Sequence, residues 1–479
     1  MKIIQTNWYL FMVLNICFAQ EVLPLTQRYF HNEDMGYDYS RGTYLIVLAD
    51  ASLESILRDE STGDFIHFKK TQGYNVHIMD INDIGVNKDA LREYLSLYNA
   101  AALPWQTTDP LLEYVLLVGD VDTGSSFRIP AYQVASYSYP ELDITDHKYT
   151  YFDDDPLSPD FFIGRWSIRT IDELEKIKRR SIGYVTMNLP GTSHSLDPSY
   201  LNNALMVAAN YGDIIIPVTP VWTSKWLMDE LYNYGYTQVD TAFWQVGDDP
   251  SDISTISMAW NRGVGLIGYR GWGGATGWAY PDFRNTDLND LENIWKLPVV
   301  FSFVCNTGNF DRSGGDHCFA ETAITAPANG SSEVPIGAVA VVGPSDKDTD
   351  TKFNNPMYGT MMDALLENRV PELAPALHAG KQCLIKEFGD LLAPDTYGFE
   401  GTYAEFYHYV YNVLGDPSLP VWLGEPKNMA TDLNEGQELI SSHISTFITD
   451  DAGVPLMDVV GALLYGGELI AKGLSNKDG

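Results

Sequence analysis

An α/β fold with mainly parallel, doubly covered sheets is what the sequence predicts, and three observations carry the prediction. Short apolar runs rich in β-branched and aromatic residues recur along most of the chain. Amphipathic stretches with a helical period lie between them, as in successive βαβ units. The runs are apolar throughout instead of alternating, which is the pattern of strands buried on both faces.

Taken in order, the predicted strands are Tyr44–Asp50, Tyr114–Asp120, Ala204–Ala209, Val264–Tyr269, Val299–Cys305 and Ala338–Gly343. The predicted helices are Lys88–Leu97, Ile171–Tyr184, Lys225–Tyr234 and Ile253–Asn261. Several strands end in Asp or Gly, which puts polar groups at the carboxyl edge where open α/β folds build their sites. After Leu423 the texture changes. Gly424-Glu425-Pro426-Lys427 reads as a linker. Residues 438–448, 459–465 and 468–470 then alternate like antiparallel strands, with a turn at Asp450–Pro455, as at the opening of an immunoglobulin-like β-sandwich. The expected organisation is a signal peptide over 1–20, α/β subdomains over 21–200 and 201–424, and the start of the β domain over 425–479.

The N-terminus supports export: Lys2, an apolar stretch from Trp8 to Phe18, then an abrupt change to polar chain. That stretch is too short to span a bilayer as a helix, and no later segment qualifies, so no integral membrane contact is expected. Roughly twenty residues separate the expected cleavage site from the first strand, too few for a long pro-segment. The chain carries 64 acidic and 30 basic residues, a formal charge of −34. Such a field repels nucleic acid and anionic surfaces, keeps an extracellular protein soluble and offers carboxylates to calcium. With Cys17 in the signal, Cys305, Cys318 and Cys383 remain, too few for a disulfide-stapled scaffold and without a zinc spacing.

Two segments carry chemistry. Gly268-Tyr269-Arg270-Gly271-Trp272-Gly273-Gly274 closes one core strand in a glycine-dense loop, and Val299–Val304 leads into Cys305-Asn306-Thr307-Gly308-Asn309-Phe310. A thiol at the carboxyl tip of a core strand is well placed as a nucleophile, and the amides after it could form an oxyanion hole. A buried cysteine is more often an inert small hydrophobe.

With Cys305, Gly308-Asn309-Phe310 and Cys318-Phe319-Ala320-Glu321, the chain resembles the gingipain-like cysteine peptidases. Pro159–Ser167, Gly337–Gly343 and Gly415-Asp416-Pro417-Ser418-Leu419 add three further motifs in the family's order. The resemblance runs from Tyr44 to Leu423 and implies a caspase-like fold with a Cys–His dyad. It makes Cys305 the nucleophile and Asp160 the acid that orients the histidine. The histidine belongs in Tyr269-Arg270-Gly271-Trp272-Gly273, where Trp272 occupies its position beside Gly271. An indole has no basic nitrogen, so Trp272 can neither take the thiol proton nor protonate a leaving amine. His317 and His147 are the substitute bases to consider, although a solvated loop histidine is the plainer reading of each.

The resemblance also implies structural calcium, with Asp153-Asp154-Asp155 and Asp346–Asp350 as carboxylate-dense loops, and no cofactor required for catalysis. Two main readings follow. One is a secreted or cell-surface endopeptidase acting on protein or peptide substrates through Cys305. The other is a pseudo-peptidase whose cleft binds peptide or glycan without cutting. A sortase-like transpeptidase is a third. For the full-length protein the resemblance implies export by the type IX secretion machinery.

Overall fold

The computed structural model describes residues 41–106, 112–209, 220–245, 247–249, 251–312, 316–367, 370–433 and 445–479. The signal peptide expected over 1–20 lies outside them, as does most of the strand expected over 438–448.

The strands of the central sheet are β1 (Thr43–Leu48), β2 (Asn75–Asp80), β3 (Leu112–Val118), β4 (Phe162–Trp166), β5 (Asn203–Ala209), β6 (Gln238–Trp244), β7 (Leu266–Arg270), β8 (Val299–Phe303), β9 (Ala340–Pro344) and β10 (Tyr411–Leu414). They form one ten-stranded sheet in the order β2-β1-β3-β4-β10-β9-β8-β7-β5-β6. Every neighbouring pair is parallel except β9 with β10, which is antiparallel. The sheet therefore consists of two parallel blocks running in opposite directions, joined at that seam.

The opposition decides where a site can form. The carboxyl ends of β5 to β9 share an edge with the amino ends of β1, β3, β4 and β10. The tips at Asp50 and Asp120 thus lie on the far edge from Cys305, so the expected alignment of polar strand ends holds within each block and not across the sheet. The two subdomains expected from sequence share this sheet and one continuous hydrophobic core.

Every residue of β1, β3, β7, β8, β9 and β10 is buried, as the uninterrupted apolar runs required. Helices cover the sheet. The helix Ile171–Thr186 starts with a reciprocal cap in which Thr170 and Glu173 each satisfy the other's backbone amide. Beyond residue 424 the described strands make two separate antiparallel pairs, Met429–Thr431 with Ile448–Asp450 and Val460–Tyr465 with Glu468–Leu474. These pairs do not establish a sandwich. The second pair docks on the first block through Lys70 and Glu468, 2.7 Å apart.

Candidate active site

Parallel pairing of β7 with β8 sets Arg270 beside Phe303, so Trp272 and Cys305 follow at matched heights on neighbouring strands. Arg270 is buried and braces this edge. Its Nε and Nη2 donate to Asn355 Oδ1 at 2.9 and 2.6 Å, and Nη1 donates to the Phe303 carbonyl. Gly271 is needed for space, since a Cβ there would lie 2.7 Å from the Tyr269 hydroxyl. The Trp272 carbonyl accepts from Tyr269 Oη at 2.6 Å and from the Ala279 amide at 2.8 Å, which closes the loop into a small hairpin. The indole is 48% exposed. It meets the Tyr280 ring edge-on at 5.8 Å, and Tyr280 in turn packs against Trp244 at 4.6 Å with the rings tilted by 33°.

Cys305 is partly buried and forms no disulfide. Burial, then the charges of Asp346 and Asp348, push its thiol up to about 11, against a weaker opposing effect of hydrogen bonds with Thr349. A peptidase thiol needs the reverse, because the thiolate is the attacking species and a neighbouring cation must favour it. Asn306 takes the left-handed conformation with φ 60°, which asparagine tolerates better than most residues. Its amide donates to the Asp346 carbonyl at 2.7 Å, and the Gly308 amide donates to Pro344 at 2.8 Å. Those two amides hold the loop together instead of opening an oxyanion hole, which corrects the expectation for them.

The other predicted site residues do not converge on the thiol. Asp160 lies on the correct edge, at the amino end of β4, but its neighbours are Asn99, the Phe152 amide and the charge of Asp153. Burial and Asp153 push it to about 6. Asp160 is held by that backbone amide and does not pair with Arg270, which is taken up by Asn355 and Phe303. His147 is buried, with Nε2 2.6 Å from the Pro156 carbonyl, and packs on His408 and Tyr409. Burial and then the Lys381 charge keep it well below the usual histidine range. His317 sits between carboxylates, with Nε2 2.8 Å from Glu173 Oε1 and Nδ1 3.7 Å from Glu321 Oε2. Burial alone would lower its pKa, but the two acids outweigh that and hold it at about 9. The two acids thus favour its imidazolium form, which has no lone pair to accept the thiol proton.

Asp153, Asp154 and Asp155 are exposed. Asp153 and Asp155 cap their own turn, accepting from the amides of Asp155 and Leu157. Among the described residues, three acidic groups do converge elsewhere. Oxygens of Glu141, Asp143 and Asp346 lie within 4.8 Å of one another. Burial, then Asp346 and Glu141, push Asp143 up to about 9. Glu141 and Asp143 were missed as site residues from sequence, as was the proximity of Asp348 and Thr349 to the thiol. The Asp346–Asp350 loop was expected only as a carboxylate-dense loop for calcium.

The family's model for Peptidase family C25 matches residues 38–422. The chain belongs to peptidase family C25. Gingipain R2 of Porphyromonas gingivalis is 25% identical over 403 residues, covering 82% of this chain and 49% of the relative. Gingipain R1 of the same organism is 25% identical over 371 residues, covering 76% and 33%. The chain thus spans half the length of these curated relatives or less. The crystal structure of the Arg-specific cysteine proteinase gingipain R superposes with a TM-score of 0.73 at 21% identity, covering 91% of this chain and 90% of that one. That likeness fixes the gingipain-type, caspase-like fold.

Within the C25 fold, most of the family-like motifs turn out to be scaffold. Arg165 is buried and paired with both oxygens of Asp146 at 2.7 Å, and it also donates to the carbonyls of Gly119 and Ile129. Glu321 caps its own helix by accepting from the Cys318 amide at 2.7 Å, and it also accepts from the Ser167 hydroxyl at 2.6 Å. Asp416 is buried against Lys69 at 2.5 Å and accepts from Tyr44 Oη at 2.8 Å. Gly164 and Gly415 meet where a Cβ on Gly164 would lie 2.6 Å from the Gly415 carbonyl. Among the described residues, no helix is long and apolar enough to cross a membrane.

Proposed function

We propose that this C25 domain is an extracellular pseudo-peptidase, which uses the former substrate cleft along β7 and β8 to bind peptide and hydrolyses it slowly or not at all. The observation that carries the reading is the thiol's surroundings: Cys305 lies among Asp346, Asp348 and Thr349 and is pushed up to about 11. Trp272 stands on the neighbouring strand where a dyad needs an imidazole. A thiol without its base loses orders of magnitude in rate, as catalytic-group deletions in other hydrolases show. The half-exposed Trp272 and its partner Tyr280 supply an apolar face on which a peptide side chain can stack. Export fits the strongly acidic composition and the apolar N-terminal segment. Passage through the type IX machinery and residence at the cell surface or beyond are part of the same proposal.

The second reading, an endopeptidase, is favoured by one feature: Cys305 itself is present at the strand tip, only partly buried. Incubation with a proteome-derived peptide library separates the two. The proposal expects no cleavage above that of Cys305→Ala, together with peptide-dependent quenching of tryptophan fluorescence that Trp272→Ala removes. Cleavage lost in Cys305→Ala would establish the endopeptidase and refute the proposal.

A further inference from the structure

Three histidines from three separate elements are packed together away from the thiol. His147 lies in the one-turn helix His147–Tyr149, His378 in the helix Leu373–Phe388 and His408 in the helix Tyr403–Val410. Centre to centre, the His408 ring is 5.6 Å from that of His147 and 6.1 Å from that of His378. Lys381, one turn after His378, donates through Nζ to the carbonyls of His408 at 2.9 Å and Tyr411 at 2.8 Å. His147, His408 and Lys381 are buried, and His378 is half-buried.

The hydrogen bonds fit three neutral rings and make poor room for further protons. His147 Nε2, 2.6 Å from the Pro156 carbonyl, and His408 Nδ1, 2.7 Å from the Ala404 carbonyl, both donate. His378 Nε2 accepts from the Gln382 amide nitrogen at 3.1 Å. A proton added to His408 would sit on Nε2, which is buried without a hydrogen-bond partner. One added to His378 Nε2 would oppose the Gln382 amide hydrogens. The nearby acids are already engaged. Asp146, on the wall of an adjoining cavity of about 50 Å³, has both oxygens bound to Arg165. Glu405, on the His408 helix, accepts from the Thr402 amide. Further titratable neighbours are phenols, Tyr151 and Tyr409 bonded to each other at 3.0 Å and Tyr411, and two cations, Lys148 over the Tyr409 ring and Arg92 on the Tyr151 carbonyl.

The helix that carries His408 also anchors the loop beside the thiol. The Asp350 amide donates to Tyr407 Oη at 2.6 Å, and the Ser345 amide donates to the Val410 carbonyl at 2.9 Å. Both ends of the segment 345–350 are thus held by this one helix, on either side of His408. Between those ends lie Asp346, Asp348 and Thr349, the residues that act on the Cys305 thiol.

We propose that His147, His378 and His408 form an acid-operated latch, closed at neutral pH, whose protonation releases the helix Tyr403–Val410 and with it the loop 345–350 beside Cys305. Like charges are costly in one poorly solvated cluster, so the protons are taken up as the helix lifts away. Burial first, then neighbouring positive charges, hold His147 and His408 well below the ordinary histidine range and His378 at about 3. Released histidines titrate near 6.5, so the closed form is favoured in full above about pH 6.5 and loses ground as pH falls below it. Each ring that is neutral when closed and free to ionise when open multiplies the open fraction by about 30 between pH 7.5 and pH 5. The latch belongs to the fold and stands whether or not Cys305 hydrolyses peptides.

The test is hydrogen exchange of the whole chain at pH 7.5 and pH 5, read by mass spectrometry and corrected for the intrinsic pH dependence of amide exchange. Peptides covering 403–410 and 345–350 should open about a thousandfold more at pH 5, while peptides from β1 and β3 keep their protection. His378→Gln should cut that acid response by about 30-fold and leave exchange at pH 7.5 little changed. His408→Gln should do the same; should it fail to fold, the wild type and the half-buried His378→Gln decide the matter. The inference is overturned if the two segments exchange alike at both pH values. It is equally overturned if protection is lost throughout the chain at pH 5, which is ordinary acid unfolding, or if His378→Gln keeps the full acid response.

Discussion

The two long motif-bearing regions of this molecule have opposite characters. Around Arg165, Glu321 and Asp416, each charge is buried and answered by a partner chosen for geometry: Asp146, the Cys318 amide, Lys69. At the tips of β7 and β8, the charge that catalysis needs is missing, and the charges present oppose it. An imidazolium beside Cys305 would favour the thiolate, whereas Asp346 and Asp348 disfavour it. Family likeness in a sequence is carried largely by the first kind of residue, because folding depends on all of them together. The chemistry depends on one or two side chains at strand tips, which can change while the fold persists.

The comparison can be broken most severely at the scaffold. Arg165→Ala leaves Asp146 buried without its partner and should destabilise the domain by about 3–5 kcal/mol, read by chemical denaturation. A loss below about 1 kcal/mol would mean that water enters the cavity and that the motif is less structural than its contacts imply.

A smaller effect should come from pH. Glu173 and Glu321 hold His317 at about 9, above the ordinary histidine value near 6.5. Its contribution is fully present below about pH 6.5 and is lost as pH rises through 9, by at most about 3 kcal/mol. Lys381 acts in the opposite sense. Burial lowers it to about 7, so its cost is full below that pH and is relieved as pH climbs toward its ordinary value of about 10.4. Stability measured against pH should therefore lose its downward component in His317→Gln and its upward component in Lys381→Met. An unchanged profile in His317→Gln would show that the imidazole is neutral between its acids.

The smallest change in stability is expected at the tip. Trp272 is half-exposed, so Trp272→His should alter unfolding by no more than about 0.5 kcal/mol, while alkylation of Cys305 near neutral pH becomes faster. If the variant unfolds instead, the indole is part of the packing, and the tip belongs with the scaffold.

Much of the fold was legible in the sequence because the central strands are buried on both faces and read as plain apolar runs. The strands that escaped notice have physical excuses. β2 and β6 sit at the two ends of the sheet, half-exposed, with polar residues such as His77 and Asp240 among the apolar ones. β4 carries a glycine at its centre followed by a buried arginine, and β10 is only four residues long. The reversal between the blocks was invisible, since no local pattern distinguishes the antiparallel β9–β10 seam from another parallel step. For the site, Cys305 and Trp272 could be singled out because both end core strands in glycine-dense turns. The failure of His317 and His147 to approach the thiol could not be read, because it depends on Glu173 and on Pro156, brought near by tertiary packing. The same holds for the meeting of Glu141 and Asp143 with Asp346, some two hundred residues apart.

The central claim is that Cys305 is not an activated thiol, and its alkylation rate by iodoacetamide as a function of pH tests it most directly. Mass spectrometry would follow the Cys305 peptide, with Cys383 as an internal reference. The account predicts a rate that is slow at pH 7 and still rising beyond pH 9, toward a midpoint of about 11. A rate already at its plateau near pH 7 would show that a base or cation acts on the sulfur, and the domain would then be a working cysteine peptidase.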